Sequence, residues 1–199
     1  MAKIKLSKNE LKRQKDALKR FLRYLPTLLL KKQQLQFEMR RIDGLLQETG
    51  ERYRREEAAL AVWQGVFGEE VGFESLLELV DIHTQTANIA GIDIPVFESV
   101  EFREERYDLF LTPLWVDRAL ETVKVLWRLK AEIAVLEEQY AVIARELRVT
   151  SQRINLFEKV KIPEARDNIR KIQIYLGDQQ IAAVVRGKIS KNKIVRRTR

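Results

Sequence analysis

Two long stretches of this chain carry an apolar side chain at every third or fourth position. A chain patterned this way folds into long helices, each with one face that must be buried. In the first stretch the heptad a positions are Leu11, Leu18, Leu25, Lys32, Met39 and Leu46, and the d positions are Gln14, Phe21, Leu28, Leu35, Ile42 and Thr49. Nine of these twelve are apolar. In the second the a positions are Leu126, Ile133, Tyr140, Leu147 and Ile154, and the d positions are Leu129, Leu136, Ile143, Thr150 and Phe157, nine of ten apolar. Repetition over this many heptads favours a coiled coil over an ordinary surface helix. Two such helices joined by a short middle predict a mainly α chain: a long antiparallel two-helix coiled coil with a small central segment holding a short helix and a β-hairpin.

Local signals set the boundaries. Ser7-Lys8-Asn9-Glu10 reads as a capping box, and Thr112-Pro113 as an N-cap followed by proline at the first helical position. The expected segments are 7–66 (first helix), 67–112 (centre), 113–185 (second helix) and 186–199 (basic tail). Pro26 and Pro163 predict kinks, since each removes a backbone hydrogen bond and crowds the carbonyl four residues back. After Pro163 the apolar stripe resumes as Ala165, Ile169, Ile172 and Leu176, one residue out of phase with the earlier register. Gly44 and Gly50 weaken the first helix by about 1 kcal/mol each relative to Ala. In the centre, 73–79 predicts a short helix. Residues 80–97, with Val80, Ile82, Thr84, Ile92, Ile94 and Val96 about Asn88 and Gly91, predict a hairpin, and 98–111 an irregular charged run. Pairing of the helices places position 7 near 170 and Pro26 near 150, giving a shaft with one bend. Apolar residues off the seam, such as Leu22, Leu29, Val123, Val135, Val142, Ile174 and Ile181, need cover that partner subunits are expected to supply.

Composition removes most chemistries. There is no Cys and one His, so thiolate–zinc sites, disulfide scaffolds and multi-His metal sites are excluded. No Gly-rich phosphate loop occurs. Carboxylate pairs such as Glu69-Glu70, Glu104-Glu105 and Glu137-Glu138 are sequence neighbours, which do not converge on a helix. His83 reads as structural, and Trp63, Trp115 and Trp127 as a cluster near the turn end, either core fill or anchors. No catalytic, cofactor or metal residues are expected, and the chain is expected to be a non-enzyme. The start has no signal-peptide core and the chain no apolar run long enough to span a bilayer, so a cytoplasmic protein is expected.

The net charge of +8 is polarised. Residues 1–41 hold thirteen Lys/Arg against Glu10, Asp16 and Glu38, and 186–199 hold seven with no acid, leaving the middle acidic. Antiparallel pairing gathers the basic ends at one pole, suited to nucleic acid, anionic lipid or an acidic protein surface. A basic coiled-coil scaffold or a nucleic-acid-binding protein is therefore the alternative. The latter lacks a base-reading module.

The run Arg153-Ile-Asn-Leu-Phe-Glu-Lys-Val-Lys-Ile-Pro163, with Ile169 and Ile172 beyond it, resembles the C-terminal signature of the D subunit of V-type (vacuolar/archaeal-type) ATPases. The basic first helix with Leu11, Lys12 and Leu18 resembles the start of that family. Phe157 stands where the family has Leu, and Ala182-Ala183-Val184-Val185 replaces its usual aromatic pair. The resemblance implies a rotor axle carrying torque between a ring of catalytic A and B subunits and a membrane rotor that moves protons or sodium. It implies a connecting subunit at one end, the small F subunit on the side and no insertion into the membrane. It further implies that Lys8, Lys12, Arg13, Lys19, Arg20, Arg23, Arg153, Arg166, Arg186 and Lys188 face the catalytic ring.

Overall fold

The computed structural model describes residues 4–63, 65, 67, 69, 72–108 and 112–197. The chain is mainly α. A 54-residue helix α1 (Lys8–Ala61) is followed by a short helix α2 (Phe73–Leu76), then strands β1 (Leu77–Ile89) and β2 (Ile92–Glu104). Helix α3 (Trp115–Leu156) follows, then a single π-helical turn (Phe157–Lys161), then helix α4 (Ile162–Arg197). The residues form two compact units, one of Met1–Lys31 with Val149–Arg199, the other of Lys32–Arg148. These units cut across the sequential segments that the sequence suggests.

Unit 1 is a pair of antiparallel helices. At its start the backbone N–H of Glu10 donates to Ser7 Oγ at 3.2 Å, half of the capping box. The Glu10 carboxylate does not complete the box; it accepts from Gln14 Nε2 at 2.8 Å. The rings of Phe21 and Phe157 meet at 5.2 Å, pairing α1 with the start of the π-helical turn. On α1, Leu11, Leu18, Phe21, Leu25 and Leu28 are half-buried, while the residues between them are mostly exposed. On the facing chain Thr150, Ile154, Ile162, Ala165 and Ile172 are buried. Helix α1 passes through Pro26 without leaving α-helical geometry.

At Pro163 the outcome is different. The N–H of Ile162 donates to the carbonyl of Phe157, a step of five residues in place of four. A π-turn holds one residue more than an α-turn. That extra residue accounts for the one-position slip in the apolar stripe: the register ends at Phe157 and resumes at Ala165. The proline and the slip have a single structural cause. Beyond it, α4 continues through the basic segment to Arg197, where the sequence suggested a separate tail.

Unit 2 is built differently. The hairpin is longer than the alternation alone indicates. Its strands pair from Leu77↔Glu104 to Ile89↔Ile92, so 98–104, expected to be irregular, are strand. Ala90 and Gly91 close the turn with φ of 52° and 77°. Two successive positive φ values make a turn whose twist matches the strands. Asn88 holds it, accepting from the Gly91 N–H at 3.1 Å and donating to Asp93 at 2.6 Å. Val80 in β1 and Glu98 in β2 are each one residue extra, and the two bulges compensate.

A two-stranded hairpin is marginal on its own, and this one lies on the helices. Buried Ile94, with Ala87, Ile89, Ala90 and Ile92, packs against Leu35 and Ile42 of α1 and Leu136 and Ile143 of α3. At the other end Leu76, Leu77 and Phe102 pack with Val116, Leu120, Val123 and Trp127. The hairpin therefore supplies cover that was expected from partner subunits: Val142 and Val123 pack against these clusters. Val135 is buried as well. Helix α3 starts two residues after Pro113. Thr112 does not cap it; its hydroxyl donates to the Asp108 carbonyl at 2.9 Å.

Candidate assembly surfaces

No group of three or more His, Cys, Asp or Glu is placed to hold a metal ion among the described residues, and none of their helices is long and apolar enough to cross a membrane. His83 lies on the hairpin at 3.6 Å from Asp81 and 3.4 Å from Glu101, with all three side chains about half exposed or more. Exposed pairs of this kind contribute at most about 1 kcal/mol. The carboxylates of the sequence pairs face other partners. Glu104 meets Lys124 at 2.7 Å, and Glu69 accepts from Trp115 Nε1 at 3.0 Å. Lys3, Glu70 and Arg199 lie outside the described residues.

The tryptophans are divided. Trp63 stacks on Phe67 at 5.7 Å, and Phe67 meets Phe73 and Trp115 edge-on at 5.2 and 5.3 Å. Trp127 sits apart, stacked on Phe102 at 6.2 Å. Beside this aromatic group the Tyr107 hydroxyl donates to Asp117. That bond, helped by desolvation and by nearby Glu104 and Glu121, pushes the phenol up to about 12.

What the structure offers is surface. In unit 1, Lys12, Arg13, Lys19, Arg20 and Arg23 line one shallow furrow of α1 with Asn9 and Asp16 among them. Lys8, Arg153, Arg166, Arg186 and Lys188 are exposed as well. Among these bases stand uncovered apolar side chains. Leu22 and Leu29 on α1, and Ile174, Ile181, Val184 and Ile189 on α4, keep between 38% and 66% of their surface open to solvent. Beyond the Phe21–Phe157 contact Gln14 and Ala17 of α1 line a cleft with Ala165 and Asn168 of α4, while Ile162 and Ile172 stay buried.

In unit 2 the residues of the sequence-derived seam are buried (Leu35, Ile42, Leu126, Leu129, Leu136, Ile143) or half-buried (Met39, Ile133, Tyr140, Leu147). An apolar groove missed by sequence reading lies between β1 and α3, lined by Leu79, Ile82, Trp127, Lys130, Ala131 and Ala134. Its two walls are far apart in the chain. The only local signal was the apolar excess on α3 beyond its heptad seam.

Exposed bases and uncovered apolar side chains together give this chain the build of an assembly component. Residues 10–192 match the family model for the ATP synthase D subunit, and the chain belongs to that family. It is 48% identical over 199 residues to the V-type ATP synthase D subunit of Borreliella burgdorferi, covering 100% of this chain and 98% of that protein. It is 35% identical over 198 residues to the V-type ATP synthase D subunit of Chlamydia trachomatis serovar L2, covering 97% of each. With the protein of the same name in Chlamydia pneumoniae it shares 34% over 194 residues, 96% of this chain and 93% of the other.

Proposed function

We propose that this chain is the central-stalk shaft of a V-type ATP synthase, a non-catalytic component that carries torque between the catalytic A/B ring and the ion-translocating membrane rotor. The observation that carries this reading is unit 1. Its two helices come from opposite ends of the chain and close on one seam. They leave Leu22, Leu29, Ile174 and Ile181 uncovered among exposed bases. Uncovered apolar side chains in such number mark a surface used for association. A ring of subunits that sheathes the helix pair supplies the missing cover. The bases then meet acidic loops of the ring, and diffuse charge attraction tolerates sliding better than fixed bidentate pairs do.

In this reading unit 2 serves the other partners. The apolar groove of Leu79, Ile82, Trp127 and Ala131 suits the F subunit on the side of the shaft, and the Trp63–Phe67–Trp115 group suits the connecting subunit of the membrane rotor. Segments 7–66 and 113–185 act as the two shaft helices, 67–112 as a buttress and 186–199 as the ring-facing end. The protein works on the cytoplasmic face of the membrane as part of a peripheral complex, with no cofactor of its own.

The test is affinity capture of the tagged full chain from cell extract. Recovery of A, B and F subunits in one particle is the expected result. A chain captured without them, or with nucleic acid lost as salt rises, overturns the reading in favour of a basic scaffold or nucleic-acid binder. Neutralising Arg186, Lys188, Lys191 and Lys193 to Gln should weaken assembly more at low salt than at high salt. Equal assembly and coupling at every salt concentration removes the charged surface from the mechanism.

A further inference from the structure

We infer that unit 1 contains a built-in hinge. Phe21 against Phe157 is its pivot, and the π-turn Phe157–Lys161 with Pro163 is the weakened segment. The first support is backbone bonding. In an α-helix the carbonyl of Lys159 accepts from the residue at position 163, and Pro163 has no N–H to give. The N–H of Ile162 is already committed five residues back, to Phe157. The facing helix is weakened too. Pro26 gives no bond to the carbonyl of Leu22, and the Thr27 hydroxyl competes for the carbonyl of Tyr24 at 2.8 Å.

The second support is where these interruptions fall. Pro26 lies five residues beyond Phe21 and Pro163 six beyond Phe157, along helices that run in opposite directions. At a rise of about 1.5 Å per residue the two prolines sit about 8 and 9 Å to either side of the ring contact. Each helix lacks a backbone hydrogen bond at its proline, on opposite sides of the same pivot.

Packing and solvent agree. On one side of the pivot Ile154 and Thr150 are 4% and 1% exposed. On the other, Gln14 and Ala17 face Ala165 and Asn168 across a cleft of small and polar groups, and Ile162 and Ile172 are the large apolar side chains that stay buried there. Glu158, Lys159 and Val160 face solvent, so water can take up the carbonyls the turn leaves free. The inserted residue is what permits motion. A π-turn can shorten to an α-turn by passing its extra residue to the next turn, and the residues between the two positions then turn about the helix axis. If the protein is a rotor shaft, twist accumulates here; that consequence alone rests on the function proposed above, and the hinge rests on the geometry of unit 1.

Hydrogen exchange on the full chain, read by mass spectrometry, tests the hinge. Amides of 158–164 should exchange at least about tenfold faster than those of 147–155 and 167–173. Uniform protection across 147–173 overturns the inference. A second arm deletes Glu158 and adds Pro163→Ala, which makes the helix continuous with its stripe in phase. Exchange at the former turn should then slow by about tenfold, and an unchanged rate overturns the inference. If circular dichroism shows that the deletion variant does not fold, Pro163→Ala alone decides. It restores one donor and should slow exchange at the turn at least about threefold, and no slowing overturns the hinge. Assembly with the A/B ring is scored separately, since its loss in the wild-type chain would sink the shaft reading and leave the exchange result standing.

Discussion

Replacing Ile94 by Ala tests whether the hairpin is a structural part of unit 2 or an appendage. Ile94 is 2% exposed on β2, and the residues that bury it include Leu35, Ile42, Leu136 and Ile143 from two helices distant in sequence. The substitution removes three carbons, worth about 0.8 kcal/mol each by transfer. A cavity cost is added where the walls cannot collapse, which places buried Ile→Ala changes at about 2–5 kcal/mol. A hairpin tip can settle toward the helices, so about 2–3 kcal/mol is expected for Ile94→Ala. Ile143 sits on a helix that cannot settle so easily, and Ile143→Ala should cost about 3–4 kcal/mol. Because the two side chains share one cluster, the double variant should lose less than the sum, by about 0.5–1.5 kcal/mol. Val96, two residues on and 37% exposed, is the control, and Val96→Ala should stay within about 0.5 kcal/mol. Urea unfolding followed by circular dichroism and by tryptophan fluorescence reads both the helices and the Trp127–Phe102 stack. An Ile94→Ala cost no greater than that of Val96→Ala, or strict additivity with Ile143→Ala, refutes the docked hairpin.

Three further outcomes follow from the same geometry. Gly91→Ala should destabilise unit 2 by about 1–2 kcal/mol in urea unfolding, because a Cβ there meets nothing within 4 Å and the whole cost is the left-handed backbone. Tyr107 should ionise at about 12 in an ultraviolet difference titration of wild type against Tyr107→Phe, and Asp117→Asn should return it toward 10. The sign is that of a raised folded value: the bond stabilises the fold below the unfolded phenol range near 10 and is lost as pH climbs through about 12. Ser7→Ala should speed amide exchange in the first turn of α1 and cost about 1 kcal/mol there, since it removes the bond that Glu10 N–H makes.

Features encoded within one helix turn were legible in the sequence. The heptads place Leu35, Ile42, Leu136 and Ile143 on buried faces because a period of 3.5 residues needs no distant partner to be recognised. The π-turn was readable in outline, since a one-residue slip beside a proline has few structural solutions. The true extent of the hairpin was not. Glu98-Ser-Val-Glu-Phe-Arg-Glu104 is mostly polar, and it becomes strand because Val100 and Phe102 find Ile82 and Leu79 across a ladder whose bulges no local pattern announces. Thr112 carried every local mark of a cap, yet the competing carbonyl of Asp108 took its hydroxyl. The segment after Gly187 was dominated by charge, and charge hid a helix that lacks any proline to stop it.

The exposed bases were legible for a simple reason: they are the complement of a heptad. What the pattern could not reveal is which apolar residues outside the seam already have cover. Two antiparallel helices bury one stripe each and leave the rest of each cylinder bare. In unit 2 the chain solves this itself by laying a hairpin on α1 and α3, and Val123 and Val142 pack against the clusters it forms. In unit 1 no third element is present among the described residues, and Leu22, Leu29, Ile174 and Ile181 remain open. The same surplus of apolar surface thus meets a different fate in each unit. Under the function proposed above, the bare apolar surface of unit 1 is what the ring encloses. Substituting Leu22 and Ile181 by Gln should therefore leave the unfolding midpoint of the free chain within about 0.5 kcal/mol of wild type while reducing capture of the A/B ring. A destabilised free chain with undiminished capture would show that these side chains serve the fold and not the assembly.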